Sequence, residues 1–532
     1  MSPIASSILG TRIATLIIVL LSLFGVATAF SSTSHGRATR LAHPYTHDDS
    51  ILKQRQTPLT LLNMQKKGLN EENISPVSLS AYTSEAIDYD DPRSAMQEVT
   101  IGRSNDAAIP EPSLFDRFII PVLTASLMVT GNTVGAGMLV LPEVVAGPGP
   151  TLSFGVMVGA WMMCLISGLT IAQVAIQERE SSGAEVPSSF KEFAEATLPS
   201  AANLVSGTSI FINTLVVAFD IFKAGQMGNS ILPSSLSLDG MSLSYVYAGL
   251  LVCLVSTQSL KNLSQVASIL VMGLFATFAS LILPGLANVF DPASVFMMPP
   301  QLPTEEIGDG TLLMAPVVLS MLIFQNIVPT ITRFLEYDRT KVVIALSVGS
   351  CIPLLMYMAW AVTVLGGGID MSSASGPSLG VLMTGFSVTT VVGSTLGTSM
   401  SLSEEFEILL GSFGKDEEES RDKSIDSTFS LPSVALPIGI ALVVAQAFSS
   451  DITECLKIAG AFGSPILYGL IPVSMAFMQQ QQVNKDGDYG NTSPTMTETG
   501  ENSSIIPGGA VGLGALTLAS TALIGTELLQ SI

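Results

Sequence analysis

The sequence predicts an all-α protein that crosses a membrane about eleven times and in which two helices are interrupted. Only 12% of the 532 residues are charged, whereas ordinary soluble proteins have about 25%, and the mean hydropathy is +0.54. Apolar runs long enough to span a bilayer recur along the chain, which indicates a polytopic helical membrane protein. The first and the sixth of these runs contain residues that interrupt helices.

The membrane domain is predicted to cover residues 116–532. Lys and Arg are concentrated in alternate connections, while the opposite face has only Lys223 and Lys457. The positive-inside rule therefore places the segment before the first span on the inner side. The longer polar connections are interpreted as loops, at 178–198, 403–428 and 481–505. The predicted spans are 118–142, 150–176, 200–225, 243–260, 264–290, 311–333, 341–366, 378–402, 430–449, 453–478 and 507–529.

The N-terminal region has the features of a two-part targeting sequence. Residues 1–29 have the apolar stretch of a secretory signal peptide and end in the cleavage pattern Ala27-Thr28-Ala29. Residues 30–67 are basic and rich in Ser and Thr, as transit peptides are, and the junction at Phe30 resembles that of bipartite presequences of algal plastid proteins. This resemblance implies a plastid (chloroplast) envelope location. A plain secretory signal, leading to the endomembrane system or the plasma membrane, is the alternative. Residues 68–115 are acidic and are predicted to form a disordered linker.

Composition and motifs exclude several classes of function. The formal net charge of −21 would repel phosphate, so a nucleic-acid partner is not expected. All histidines precede residue 48, which excludes a His-based metal site or proton relay in the membrane domain. Neither a Walker A motif nor a Gly-x-Ser-x-Gly motif occurs, so we expect no enzyme activity and no cofactor. The cysteines show no metal-ligand spacing and are interpreted as packing residues: Cys164, Cys253, Cys351 and Cys455.

The first span contains three glycines close together, at Gly131, Gly135 and Gly137. Each glycine costs a helix about 1 kcal/mol relative to alanine, so this segment is predicted to be an unwound hinge in mid-membrane. Backbone amides at such a break, at the positive end of a half helix, can hold a carboxylate. Close helix packing through glycines four residues apart is the alternative. The candidate binding residues here are Asn132, Thr133, Gly135, Ala136 and Gly137.

A second interruption is predicted in the sixth span, between Phe324 and Thr330. Polar amides in mid-span are costly unless they are paired, and Pro329 removes a helix hydrogen bond. Interruptions at corresponding positions of two five-helix halves indicate a 5+5 inverted-repeat transporter fold with an eleventh helix. The polar side chains either face a ligand or only bond neighbouring helices, and Phe324 either shapes an aromatic pocket or is a core residue. The candidates are Phe324, Gln325, Asn326 and Thr330.

The glycine segment and the residues that follow it resemble a known family. Gly131, Gly135-Ala136-Gly137-Met138-Leu139, Pro142 and Ala146-Gly147 resemble the first span of the hydroxy and aromatic amino acid permeases, the tyrosine and tryptophan permeases of the amino acid, polyamine and organocation superfamily. The segment Phe324–Arg333 is also similar, and the likeness covers roughly residues 116–530. It implies alternating-access transport of tyrosine or tryptophan across a lipid bilayer, with a proton as the coupling ion. Departures from the pattern are Glu143, Asp220, Lys223, Val328 and the acidic loop 403–428.

Ionisable and hydroxyl side chains within the spans are candidates for ion coupling. Asp220 and Lys223 are spaced to pair on one helical face, either to couple or gate transport or as a structural pair at a span end. Glu143 carries the only formal charge between Phe118 and Gln177, and it either couples an ion or simply reaches the interface. Hydroxyls on the eighth span help ligate sodium in Na⁺-coupled relatives of this fold, so the resemblance adds Ser394 and Thr398.

Two other functions remain compatible with the sequence. The first is a permease for another amino acid or for an organic cation. The second is a transporter-like sensor or scaffold that binds a ligand without moving it, with the 403–428 loop or the N-terminal linker as its partner surface.

Overall fold

The computed structural model describes residues 115–531 except 184–185, 188, 232–238, 290, 368, 370–376, 412–427 and 489–504. All regular secondary structure within this part of the chain is helical. The predicted signal peptide, transit-peptide-like segment and linker lie outside the described residues, apart from Phe115.

Each of the eleven predicted spans coincides with an apolar helix. Nine of these helices are long and apolar enough to cross a membrane singly, the first span is a bent pair of helices, and the ninth span is a shorter helix of 17 residues. The spans are Arg117–Thr133 with Ala136–Ala146, Pro150–Ser182, Pro199–Asn229, Gly240–Thr257, Asn262–Asn288, Gly310–Phe334, Arg339–Leu365, Gly380–Leu410, Leu431–Ala447, Thr453–Gln481 and Ala510–Leu529.

Side-chain caps fix where several of these helices begin. Asp239, Ser259, Asp338 and Ser430 each precede a helix, and each accepts a hydrogen bond from the backbone N–H three residues later. Such a cap satisfies one of the N–H groups that the first turn of a helix leaves unpaired. The second span ends at Gly183, whose φ of 66° is a left-handed conformation that glycine adopts without steric cost.

Helix replaces part of the polar connections that the sequence predicts as loops. Residues 178–198 contain an amphipathic helix, Phe190–Thr197 (the connecting helix), and the eighth helix continues to Gly411. The prediction of a loop from residue 403 was therefore wrong at its start. The physical reason is that Glu405 on this extension is buried and forms an ion pair with Lys191 of the connecting helix.

The seventh span packs tightly along the first half of the first span. The hydroxyl of Thr130 lies 2.9 Å from the carbonyl oxygen of Gly349, and that of Ser126 lies 3.3 Å from the carbonyl oxygen of Ala345. A Cβ atom added at Gly349 would come within 2.7 Å of the Ser126 carbonyl oxygen. Small residues and hydroxyl-to-carbonyl bonds of this kind hold helices together where lipid offers no competing donors.

Candidate functional site

The first span breaks at Val134 and Gly135, in the region that the glycines predict. The helix Ile120–Thr133 ends there, Gly135 is extended, and a short 3₁₀ turn starts at Ala136. The two halves of the span are bent by 58°. The break is narrower than predicted, because Asn132 and Thr133 remain helical. Gly131 is also helical, and it serves close packing, since a Cβ there would come 2.9 Å from Val271.

The two glycines at the break allow close contact with other spans. A Cβ atom at Gly135 would lie 3.1 Å from the Ser394 hydroxyl of the eighth span. A Cβ atom at Gly137 would lie 2.7 Å from Cγ of Met321, the residue that ends the first helix of the sixth span. The interruption of the first span therefore touches both the eighth span and the interruption of the sixth.

The interruption of the sixth span overlaps the predicted segment Phe324–Thr330, but it begins two residues earlier and ends three residues earlier. The helix Ile307–Met321 ends, Leu322–Phe324 lie outside it, a 3₁₀ turn covers Gln325–Ile327, and a second helix begins at Val328. Pro329 lies in the first turn of that helix, where a missing N–H costs no hydrogen bond. Attributing the break to a hydrogen bond lost at Pro329 was therefore wrong.

Phe324 and Gln325 face the protein interior. The Gln325 side chain donates to the carbonyl oxygen of Cys164 at 3.2 Å and accepts from the backbone N–H of Phe324 at 2.9 Å. It thus satisfies a backbone amide that the break would otherwise leave unpaired. The Phe324 ring is fully buried against Gly168 of the second span. The structure favours the core alternative for Phe324 and, for Gln325, the alternative in which the side chain only bonds a neighbouring helix.

Asn132 and Asn326 form a reciprocal amide pair that joins the two interruptions. The Asn132 amide donates to Oδ1 of Asn326 at 2.8 Å, and the Asn326 amide donates to Oδ1 of Asn132 at 3.3 Å. Both side chains are exposed. Because a primary amide has two donor hydrogens and two acceptor lone pairs, each partner keeps capacity for a further hydrogen bond.

Asn326 of this amide pair lines a polar cleft of about 300 Å³, a volume at the lower end of the range of ligand pockets, roughly 300–1,000 Å³. The cleft extends past Thr330 of the sixth span and Asn213 of the third span toward the connecting helix, on the face predicted to be inner. Its lining comprises Ser189, Phe190, Lys191, Glu192, Ser209, Asn213, Asn326, Thr330, Ser401, Glu404, Glu405, Ile408, Leu467 and Tyr468.

An ion pair lies at the end of this cleft. Nζ of Lys191 is 2.8 Å from Oε2 of Glu405, with side-chain exposures of 12% and 6%, and Ser209 donates to Oε1 of Glu405 at 2.7 Å. Burial lowers the pKa of Lys191, but the carboxylates of Glu405 and Glu195 raise it, and the net result is a pKa above the usual value. Burial raises the pKa of Glu195 on the same connecting helix.

Two of the predicted coupling residues meet beside the first interruption. Asp220 is buried in the third span, with the hydroxyls of Ser394 and Thr395 at its carboxyl group, while its Oδ2 has no hydrogen-bond partner. Ser394 also contacts Gly135. The hydroxyl of Thr398, one turn further along the eighth span, donates to the backbone of Ser394 at 2.9 Å.

The predicted pairing of Asp220 with Lys223 was wrong, because Asp220 faces the eighth span. Lys223 instead lies 3.4 Å from Oε1 of Gln226, and the charges of Glu143 and Asp451 act on it. Glu143 is exposed at the far end of the first span. Its position fits the alternative in which it reaches the interface.

Three candidate residues were missed by the sequence reasoning. Lys191 and Glu405 lie in segments that were interpreted as loops, and no local pattern indicates that these two residues pair across more than two hundred positions. Tyr357 lies in the seventh span, and its hydroxyl donates toward the carbonyl oxygens of Thr133 and Met321. A Tyr in an apolar span was itself a signal, since a buried phenol needs a partner.

The sequence profile described as the tryptophan/tyrosine permease family matches residues 120–491. The chain belongs to this family. It is therefore an integral, multi-pass permease of the aromatic amino acid permease type and not an enzyme.

Named relatives agree with this assignment. The tryptophan-specific transport protein of Shigella flexneri is 26% identical over 384 residues, covering 65% of this chain and 89% of the relative. That of Pseudomonas aeruginosa is 26% identical over 306 residues, covering 53% and 70%. The tyrosine-specific transport system 1 of Haemophilus influenzae is 24% identical, covering 46% and 57%. Among solved structures, the manganese transporter of Eremococcus coleocola superposes with a TM-score of 0.43 at 13% identity, over 80% of this chain and 97% of the other.

Proposed function

We propose that this permease is a secondary active transporter that moves tryptophan or tyrosine by alternating access, coupled to protons. The observation that carries the proposal is the amide pair of Asn132 and Asn326, which joins two interrupted spans and of which Asn326 lines a polar cleft. Interrupted helices that face each other at mid-membrane are the usual substrate site of secondary transporters. The family and the names of the relatives support an aromatic substrate.

The amino acid would bind across the two interruptions. The 3₁₀ turn after Gly135 leads into the second half of the first span, so the amides of Ala136 and Gly137 lie at the positive end of a half helix. They would hold the carboxylate. The amides of Asn132 and Asn326 have acceptor oxygens for the ammonium group, and the aromatic side chain would extend into the cleft beside Thr330.

Asp220 is the proposed protonation site. Its carboxyl group is buried in a membrane span with one oxygen unpartnered, an arrangement that is costly for the charged form and much less costly for the protonated form. The Thr395 hydroxyl donates to the carbonyl oxygen of Val391 at 2.6 Å, so a protonated carboxyl can donate to the Thr395 oxygen. Ser394 lies next to both the Asp220 carboxyl group and Gly135. A change in the protonation of Asp220 would therefore act on the hinge through Ser394.

The deciding experiment is uptake of radiolabelled tryptophan and tyrosine by proteoliposomes, with and without an imposed proton gradient. We expect gradient-stimulated uptake by the chain from Phe30 onward and none by empty liposomes. Competition by unlabelled amino acids and organic cations identifies the substrate. Binding without counterflow, in folded protein, would contradict transport and support a sensor, and uptake unaffected by a proton gradient but driven by sodium would contradict proton coupling.

The plastid envelope is the proposed location, supported by the composition of residues 1–67. A fluorescent protein fused after residue 67 should enter the plastid of a cell with a complex plastid. Retention of that fusion in the endomembrane system would contradict this location without affecting the transport proposal.

A further inference from the structure

The hydroxyl of Tyr357, in the seventh span, contacts both interruptions. The residue is 1% exposed. Its hydroxyl lies 2.9 Å from the carbonyl oxygen of Thr133 and 3.1 Å from that of Met321, and the backbone of Gly135 also lies within hydrogen-bonding reach of it.

These two carbonyls are available because both helices end there. Thr133 is the last residue of the first helix of span 1, and Met321 is the last residue of the first helix of span 6. Carbonyl groups in the last turn of a helix have no partner within it, and in a membrane interior they must be satisfied by the protein or a ligand. Since a phenol has a single proton, Tyr357 shares it between the two carbonyls.

The seventh span is also fixed to the first half of span 1 below the hinge. Ala345 and Gly349, twelve and eight residues before Tyr357, have carbonyls in contact with the hydroxyls of Ser126 and Thr130. This span and the first half of span 1 therefore form one packed unit, and Tyr357 is one of the residues through which that unit reaches span 6, in addition to the amide pair of Asn132 and Asn326.

We infer that Tyr357 is the positioning residue that couples the two hinges, because its one hydroxyl holds the carbonyls released at both interruptions. Moving either helix end away from the hydroxyl leaves a buried carbonyl without a donor, so the hinges open together. For transport this means that the carboxylate-binding and amine-binding halves of the site form and disperse in a single step. This consequence rests on the proposed function, whereas the coupling of the hinges does not.

Hydrogen–deuterium exchange of the full mature chain tests the coupling without any substrate. In the wild-type protein we expect peptides covering residues 130–140 and 319–328 to have protection factors within about threefold of each other, since one opening exposes both. In Tyr357→Phe we expect the two protection factors to diverge by about tenfold or more. Tyr245→Phe is the control for loss of a tyrosine hydroxyl away from both hinges, because this hydroxyl bonds to Gln446 at 2.9 Å, and the two protection factors should stay matched.

Tryptophan binding gives the second measurement. We expect Tyr357→Phe to bind about tenfold more weakly or worse, the scale of a lost buried hydrogen bond, and Tyr245→Phe to bind as the wild type does. Wild-type protection factors that differ by more than tenfold, or matched factors in folded Tyr357→Phe, would overturn the inference. The comparison of the two wild-type protection factors tests the inference even if the Phe variant does not fold. Failure of the wild type to bind tryptophan or tyrosine would count against the proposed function alone.

Discussion

We expect the ion pair of Lys191 and Glu405 to hold the inner side of the cleft closed. Replacing Lys191 by methionine should therefore favour an open state in which reagents reach the cleft. The substitution leaves Glu405 buried at 6% side-chain exposure, with only the neutral hydroxyl of Ser209 as donor. Removing one partner of a buried pair costs about 3–5 kcal/mol. Because the cleft lies beside this pair, we take the lower end of that range as the expected cost. Since about 1.4 kcal/mol corresponds to a tenfold change in an equilibrium constant, ~3 kcal/mol shifts the balance between closed and open states by roughly a hundredfold.

The assay is the rate at which a membrane-impermeant thiol reagent modifies Ser401→Cys, a position lining the cleft, in a background of Cys253→Ser that removes an exposed native thiol. We expect Lys191→Met to raise this rate by about ten- to a hundredfold. Glu405→Gln combined with Lys191→Met should raise it less than Lys191→Met alone, because no unpaired charge remains.

The matched control breaks another buried ion pair of this chain. Lys457 lies 3.1 Å from Glu527, with side-chain exposures of 13% and 10%, and it is on the face opposite to the connecting helix by the charge pattern. Lys457→Met should lower the melting temperature in the same way as Lys191→Met and leave the thiol modification rate unchanged. An unchanged rate in Lys191→Met, or an equal increase in both variants, would refute the expectation that the Lys191–Glu405 ion pair keeps the cleft closed.

The remaining predictions concern the hinges and the buried charges. Gly137→Leu should abolish uptake, because even a Cβ atom there would lie 2.7 Å from Met321. Gly159→Leu, with open space around it, should transport normally. Equal uptake by both variants would show that the hinge is not part of the substrate site. Asn326→Ala should weaken substrate binding by roughly tenfold, measured by equilibrium binding, and wild-type affinity would exclude the amide pair as a contact. Asp220→Asn should exchange substrate but lose stimulation by a proton gradient, and preserved stimulation would place the proton elsewhere. Because the pKa of Lys191 is raised, its stabilisation should be present at neutral pH and be lost as the pH rises through that raised pKa. Above neutral pH, the melting-temperature difference between wild type and Lys191→Met should therefore shrink only in strong alkali, and a loss between pH 7 and 9 would contradict the ion pair.

The spans and both interruptions could be predicted because their signals are local. Apolar runs fix the helices, and Gly135 fixes the first break within two residues. What failed was the assignment of causes. Pro329 was expected to break a helix and instead begins one, since a first-turn proline gives up no hydrogen bond. The position of the break depends on which groups bond the unpaired backbone N–H and C=O groups at the two helix ends. That information is not contained in the segment itself.

Contacts between distant segments set the limit on predicting the site. Asp220 and Lys223 satisfy a helical spacing rule, yet Asp220 turns to hydroxyls of the eighth span that lie far away in sequence. Glu405 was counted with an acidic loop because its partner, Lys191, is more than two hundred residues earlier. Asn132 and Asn326 were both predicted as site residues, but only the fold shows that they bind each other.

In the packing between the first and the seventh spans, the two helices supply different kinds of hydrogen-bonding group. The donors are the side chains of Ser126 and Thr130, while the acceptors are main-chain carbonyls of Ala345 and Gly349. A carbonyl is supplied by any residue type, so the seventh span can change its sequence at position 345 without losing the acceptor. The two helices are therefore restricted in different ways: the first span needs the hydroxyl side chains of Ser126 and Thr130, whereas the seventh span needs a residue without a Cβ at Gly349, where a Cβ would lie 2.7 Å from the Ser126 carbonyl oxygen.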